Sequence, residues 1–334
     1  MSYKYNLIET KADEKWDKLV NQSLNGTAFS KSAYLKASGA NYKLYFCYKQ
    51  KELRGALVLI EDETGTKVIL DGLVIYSGII YNKPTNRQNR SQQLSEQFQM
   101  QEFIASKLHC LYDSVQVTLH PSIVDIRPFL WVNYGTALPK YTSEIRYTSY
   151  VDIADFKNAQ NLEDISIYIE ASSSRRQQIR YAIKKNYKTI STDNVEQLTE
   201  FYRKTMYRQG IDITKEYLFR IQKLALNLIA NNMAKLYASF DGDGQMSSMA
   251  LFCWDSKRAY YLIGASDPDK RDGHSGTNVL WEAFYDLSNL GVKEVDLEGV
   301  NSPHRGWFKL SFGGDIKPYY KINYNKSIYQ NSDK

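Results

Sequence analysis

The chain has little of several residue types, and each shortage excludes something. Three cysteines occur in 334 residues. Cys47, Cys110 and Cys253 lie far apart, each beside apolar or aromatic neighbours, so neither a disulfide framework nor a zinc site fits their spacing. They read as buried thiols, and no metal is expected. No run approaches the ~20 apolar residues that a membrane-spanning helix needs. The first residues, Met1-Ser2-Tyr3-Lys4-Tyr5-Asn6, hold no apolar signal core, and a cytoplasmic protein is expected. Only four histidines are present, and no Ser-His-Asp or Cys-His arrangement is readable. Low-complexity tracts and an inserted coiled-coil arm are both lacking. The net charge of +6 is modest. It suits an anionic small molecule as well as nucleic acid, for which a denser basic face is usual.

What is present is an ordinary globular composition, 43% hydrophobic and 24% charged, over a length that suggests two domains. In the first half, Lys43–Lys49 and Leu53–Ile60 read as strands joined by the polar turn Gln50-Lys51-Glu52. Strands at Lys67–Leu70 and Leu73–Tyr76 follow, then a helix around Gln92–Leu111 and a strand at Ser114–Leu119. The second half repeats this order of parts. Met233–Phe240 and Met246–Trp254 flank the turn Asp241–Gly244, and strand, loop, helix and strand come after. No residue-level identity links the halves. The order predicts an α/β (α+β) protein of two domains, each a mixed sheet flanked by helices. The boundary falls near Leu138–Tyr150, giving domains 1–148 and 149–334, with the strand after about 315 free to pack back on the first. Ser172–Ser174 offers an N-cap for a helix over Arg175–Lys185, and Asn194–Gln209 reads as a helix ended by Gly210.

The stretch Tyr260–Tyr320 carries most of the chemistry. A strand, Tyr260–Ser266, runs into the polar loop Asp267–Gly276. A helix over Thr277–Leu287 follows, ended by Gly291, and then a strand at Glu294–Val300. Unpaired N–H groups of a first helical turn, aided by the helix dipole, favour an anion at that point. Lys270, Arg271, Gly273, His274, Ser275, Gly276, Thr277 and Asn278 are the candidate anion-binding residues. Asp296 and Glu298 alternate along the predicted strand, share a face, and are candidate proton acceptors. His274 and His304 are placed in loops of the same site, each a candidate base.

Lys270-Arg271-Asp272-Gly273-His274-Ser275-Gly276 resembles the Arg/Gln-x-x-Gly-x-Gly/Ala turn of the GNAT acyltransferase superfamily, with one residue more between its glycines. Phe308-Lys309-x-x-Phe312-Gly313-Gly314 closely resembles a run in the Fem-type branch, the non-ribosomal peptidyltransferases and their acyltransferase relatives. That resemblance implies two fused GNAT-like domains and a lysine at the reaction centre, here Lys309. Met206-Tyr207-Arg208-Gln209-Gly210-Ile211 is similar to the branch's Ala-Glu-Arg-His-Gly-Ile run, which implies a phosphate-binding role for Arg208. Phe29–Lys36 resembles its early Phe-x-Gln-x-x-x-Trp-x-x-Lys region, lacks the Gln, and has Tyr34 for the Trp; it implies acceptor binding by Lys36. Ser174–Lys184 matches a basic helix after the domain boundary and brings in Arg180. Tyr261 and Arg305 complete the candidate substrate-binding set.

Together these imply N-acyl transfer from acyl-CoA, a co-substrate rather than a bound cofactor, to the amine of a nucleotide-linked amino sugar. The product would serve bacterial surface polysaccharide synthesis. The missing nucleophile–histidine pair fits direct transfer without a covalent enzyme intermediate. One alternative keeps the fold and takes an aminoacyl-tRNA donor for a peptidoglycan precursor; another is a catalytically inactive binding module. A monomer or dimer is expected.

Overall fold

A computed structural model describes residues 4–270 and 274–327 of the chain. Two compact units result, one running to Arg146 and resuming at Pro318, the other Tyr147–Lys317. In the first, β1 (Tyr5–Thr10) leads to helices α1 (Glu14–Gln22) and α2 (Ser32–Ser38). Strands β2 (Tyr42–Lys49) and β3 (Glu52–Ile60) form the expected hairpin, with Gln50 turning at φ 57°. Next come β4 (Lys67–Val68), β5 (Gly78–Tyr81), α3 (Arg90–Leu111), β6 (Ser114–Thr118) and α4 (Arg127–Leu130). β1, β2, β3 and β5 make an antiparallel sheet in that order.

Leu73–Tyr76 is not a strand. It is a turn with a single bridge between Asp71 and Val74. The Tyr34 hydroxyl donates to Leu73 O at 2.6 Å, and Leu73, Val74 and Tyr76 pack inward, so these apolar residues fill core without a ladder. α3 begins in a capping box of Asn89 and Gln92 and buries Phe103, Ile104 and Leu108 against Leu57, Leu59, Val115 and Val117. Cys110 corrects the cysteine reading: Cys47 and Cys253 are buried, whereas Cys110 lies on the solvent side of α3's last turn.

β7 (Thr142–Asp152) carries the chain into the second unit. There follow α5 (Ser166–Glu170), α6 (Ser173–Lys184), β8 (Lys188–Thr192), α7 (Val195–Tyr207) and α8 (Lys215–Ala230). Strands β9 (Ala234–Phe240), β10 (Met246–Trp254) and β11 (Ala259–Ser266) come next, then α9 (Ser275–Asn289), β12 (Glu294–Asp296) and α10 (Pro303–Leu310). The strands of this unit lie in the order β7, β12, β11, β10, β9, β8, and only the β11–β12 pair is parallel. Every residue from Ser247 to Cys253 is buried, as in a strand covered on both faces. α9 packs on β9 and β10, α7 on β10 and β11, α8 on β9. Phe156, Phe252, Trp281, Phe284 and Phe312 centre the core, each such side chain contributing ~1.5–3 kcal/mol on burial. The last strand, β13 (Asp315–Asn325), returns the chain to the first unit, where Lys321–Asn325 pair antiparallel with β6. Among the described residues no helix is long and apolar enough to cross a membrane.

Candidate functional site

The two parallel strands part after a short ladder. β11 and β12 pair only at Ala259–Val295 and Tyr260–Asp296. β11 continues to Ser266, while the other chain turns away after Asp296. The predicted strand to Val300 therefore stops early, because Glu298 adopts φ 56°, which strand pairing does not allow. Bonds to β7 hold this departure: Leu297 N–H to Ser149 O at 2.9 Å, Val300 N–H to Tyr147 O at 3.0 Å, and Asn301 Nδ2 to Tyr147 O at 3.0 Å. A left-handed non-glycine residue costs about 1–3 kcal/mol and marks a place where surrounding structure fixes the backbone. Opposite, the β10–β11 register shifts between Leu251 and Phe252, so that Phe252 pairs with Tyr261. Such a bulge re-aims a side chain. The Tyr261 ring stacks on Phe252 at 5.2 Å and lies beneath Lys309.

Lys309 comes from α10, not from a strand or loop. Pro303 starts that helix at a position where its missing N–H is harmless. Gly306 lets it approach closely: a Cβ there would stand 2.5 Å from Val300 O. Lys309 Nζ donates to Gly299 O at 3.4 Å and lies 5.3 Å from the Tyr261 ring centroid. Burial pulls its pKa down to about 8, against the opposing pull of Glu298 and Asp296. Glu298 is 6% exposed, and its Oε1 has no hydrogen-bond partner. Burial holds its carboxyl well above the usual carboxylate range; Lys309 pulls it down and Asp296 pushes it up. Asp296 is fully buried, accepting from the Thr148 hydroxyl and from Glu298 N–H at 2.7 Å. The Asp296 carboxylate thus holds the Glu298 backbone and its charge is felt at the Glu298 carboxyl, although the two residues do not share a strand. A carboxyl of raised affinity beside an amine of lowered affinity is suited to passing protons near neutral pH.

α9 supplies the second half of the site. The side chains of its first turn face inward. Ser275 Oγ lies 3.0 Å from Ser248 Oγ, which lies 2.8 Å from Ser266 Oγ. Thr277 Oγ1 donates to Gln178 at 2.7 Å, and Asn278 Nδ2 to Thr189 at 3.0 Å and Ser239 at 3.2 Å. These hydroxyls and amides pin the helix end to α6 and β8–β11, so its backbone, not these three side chains, is what an anion would meet. Gly276 has room around it, a Cβ there lying 3.9 Å from the nearest serine oxygens. His274 is the helix N-cap and makes edge contacts with Tyr181 and Tyr187 at 5.7 and 6.1 Å. Lys270 Nζ donates to Gln245 Oε1 at 2.9 Å. Arg271 and Gly273 lie outside the described residues.

The remaining candidates are spread over the surface. Arg305, one helical turn before Lys309, lines a groove with Tyr202, Met206, Asp212, Thr214 and Tyr217. His304 is exposed within α10 rather than in a loop. Arg208 caps the C-terminus of α7 and is exposed; Arg180 is exposed and donates to the Tyr168 hydroxyl at 2.8 Å. Lys36 sits exposed in the last turn of α2, in the first unit. Sequence reasoning passed over Arg175 in the helix it did recognise. Its neighbours Arg176 and Arg180 look alike in sequence, and only the α6 register separates the buried one, at i and i+4 with Ile179.

The acetyltransferase (GNAT) domain family matches residues 173–306, a span from α6 into α10 that ends three residues before Lys309. Curated protein sequences give no match. Among solved structures, FemX is similar over 97% of this chain and 99% of its own, with a TM-score of 0.63 at 12% identity. A tandem GNAT protein from the clavulanic acid biosynthesis pathway is similar over 96% and 98%, with a TM-score of 0.53 at 10% identity. The C-terminal domain of a putative lysylphosphatidylglycerol synthetase from Agrobacterium fabrum is similar over 94% and 92%, at 0.52 and 9%. These likenesses concern the fold alone. The two-domain α/β architecture expected from the order of elements is therefore that of tandem, Fem-like GNAT proteins, and the chain is an acyltransferase with a GNAT domain at residues 173–306.

Proposed function

We propose that this protein transfers an acyl group from acyl-CoA to the amine of a nucleotide-linked amino sugar, in the cytoplasm, for bacterial surface polysaccharide synthesis. The observation that carries the proposal is the placement of Glu298 and Lys309 where β11 and β12 part, Glu298 by its left-handed backbone and Lys309 by its bond to Gly299 O above the Tyr261 ring. The anion-binding turn at Lys270–Gly276 and the first turn of α9 would take the CoA pyrophosphate. Arg305 and Arg208 would meet the acceptor's diphosphate as guanidinium forks.

The neutral amine attacks the thioester carbonyl, a C–N bond forms, and the C–S bond breaks. One proton leaves the nitrogen and one reaches the departing thiolate. Glu298 accepts the first and Lys309 supplies the second, after its ammonium has stabilised the tetrahedral oxyanion. The pair ends as carboxylic acid and free amine, and a proton shift between them restores the starting state. A second reading, an aminoacyl-tRNA donor, is favoured by the likeness to FemX and to the lysylphosphatidylglycerol synthetase domain. Thermal-shift titration with CoA, acyl-CoAs, amino sugar nucleotides and charged tRNA separates the two. The proposal requires stabilisation by CoA; a shift with charged tRNA and none with CoA would replace it.

A further inference from the structure

Arg175 is 5% exposed, and no carboxylate lies in ion-pair range of it among the described residues. A buried guanidinium is costly unless its donors are used, and here they are used on three elements at once. From the first turn of α6, Nε donates to Ser311 Oγ at 2.9 Å and one terminal nitrogen to Phe308 O at 3.3 Å, both at the end of α10. The other terminal nitrogen donates to Gln178 Oε1 at 2.6 Å and to Thr277 Oγ1 in the first turn of α9. Its Cζ lies 4.4 and 4.5 Å from the ring centroids of Phe308 and Phe312. Ser311 Oγ in turn donates to Phe308 O at 2.7 Å. The residues gripped on α10 flank Lys309 on both sides along the chain, and the residue gripped on α9 lies in the turn assigned to the anion.

We infer that Arg175 is a positioning residue that fixes the helix bearing Lys309 against the first turn of α9, so that the lysine ammonium and the anion site keep one relative geometry. The inference rests on the reading of Lys309 given above. A planar fork with five donors and two aromatic faces does this; a lysine at the same place has neither the fork nor the flat face. Lys309 itself is faced by Glu298 and Asp296 from the end of β12 and the loop after it, by Tyr261 from β11, and by Arg305 from its own helix. Arg175 acts on it through the backbone of α10.

The test uses the full chain with Arg175→Lys and Arg175→Met, and Ser311→Ala as a milder loss of one acceptor should either arginine variant fold poorly. Circular dichroism and melting curves confirm folding. Without substrate, lysines are reductively dimethylated with 13C, the Lys309 signal is assigned by its loss in Lys309→Arg, and its titration is followed by NMR. A loosened α10 exposes Lys309, so its midpoint should rise in the variants by roughly half a pH unit or more. In turnover, kcat should fall at least about tenfold with both KM values within about threefold, as expected of misplacement rather than lost binding. A lower melting temperature with an unmoved Lys309 titration and unchanged kcat would reduce Arg175 to a stabilising residue and overturn the inference. Wild-type turnover by Lys309→Met would instead overturn the reading of Lys309, a different outcome in a different variant.

Discussion

Replacing Lys309 with Met separates three roles that a lysine in this place could play, and the structure gives magnitudes for the argument. Met keeps length and apolar volume while removing the charge. Burial lowers the Lys309 pKa from 10.5 to about 8. Keeping the ammonium in this site therefore costs the folded state about 3 kcal/mol relative to water. Removing it should leave the melting temperature at pH 7 equal to or above that of wild type. The sign of the pH dependence follows. Between pH 8 and 10.5 the unfolded chain holds a proton on Lys309 that the folded protein has lost, so wild-type stability should rise with pH across that window. In Lys309→Met this contribution is absent. Losing one oxyanion donor typically costs ~10²–10³-fold in turnover, or ~2.7–4 kcal/mol. kcat and kcat/KM should fall together, because the charge matters only as the tetrahedral intermediate forms. The assay is steady-state kinetics with both substrates varied, plus melting curves from pH 7 to 10.5. A variant that melts earlier and turns over normally refutes the catalytic reading; one with raised KM and spared kcat makes the lysine a phosphate ligand.

Glu298→Gln should cut kcat by roughly 10²-fold or more as a lost proton acceptor, measured as initial rates. Because Glu298 holds the Lys309 pKa up, the same change should move the alkaline fall in rate to below pH 8; an unmoved limb argues against coupling of the pair. Gly264→Ala places a Cβ 1.6 Å from the Tyr261 hydroxyl. The ring must leave its place beneath Lys309, and activity should drop at least about tenfold with far-UV circular dichroism unchanged; full activity would remove Tyr261 from the site. CoA at ~100 times its dissociation constant should add ~2.7 kcal/mol of stability, a rise of a few degrees in melting temperature. No rise would remove the anion role of the α9 turn.

The strong periodic segments were legible from residues alone. Met246–Trp254, the hairpin before it in the first half, and the helices before Leu111 and after Gly276 lie where apolar spacing and caps put them. The errors have local causes. Leu73–Tyr76 is apolar because it is buried, and a buried turn carries the same residues as a short strand. Glu294–Val300 reads as one strand because nothing in Leu297-Glu298 announces a left-handed glutamate. That conformation is fixed by bonds to β7, far away in sequence. Strand β8 and helix α2 were passed over because they are short, whereas α1 (Trp16, Leu19, Val20) and α8 (Ile221, Leu224, Ala225, Leu228) carry apolar stripes at helical spacing that were legible and were missed. At the site, Lys309, Asp296, Glu298 and Tyr261 are brought together, although by a helix, a strand end, a loop and a bulge rather than by two strands. Ser275, Thr277 and Asn278 were singled out for a ligand through the N–H groups of the turn, and their side chains hold their own helix. A hydroxyl in a first helical turn has the same spacing either way, and only the neighbours Ser248, Gln178 and Ser239 decide between the two.

The central claim is direct acyl transfer at the Glu298–Lys309 pair, and thiol release measures it most directly. Purified full-length protein is mixed with a panel of acyl-CoAs and amino sugar nucleotides, free CoA is followed with a thiol reagent, and the nucleotide product is weighed by mass spectrometry. We expect CoA release that requires an amino sugar nucleotide, a product heavier by the acyl group on its amine, and loss of both in Lys309→Met and Glu298→Gln. Acylation of the same amine at wild-type rate by both folded variants would contradict the account.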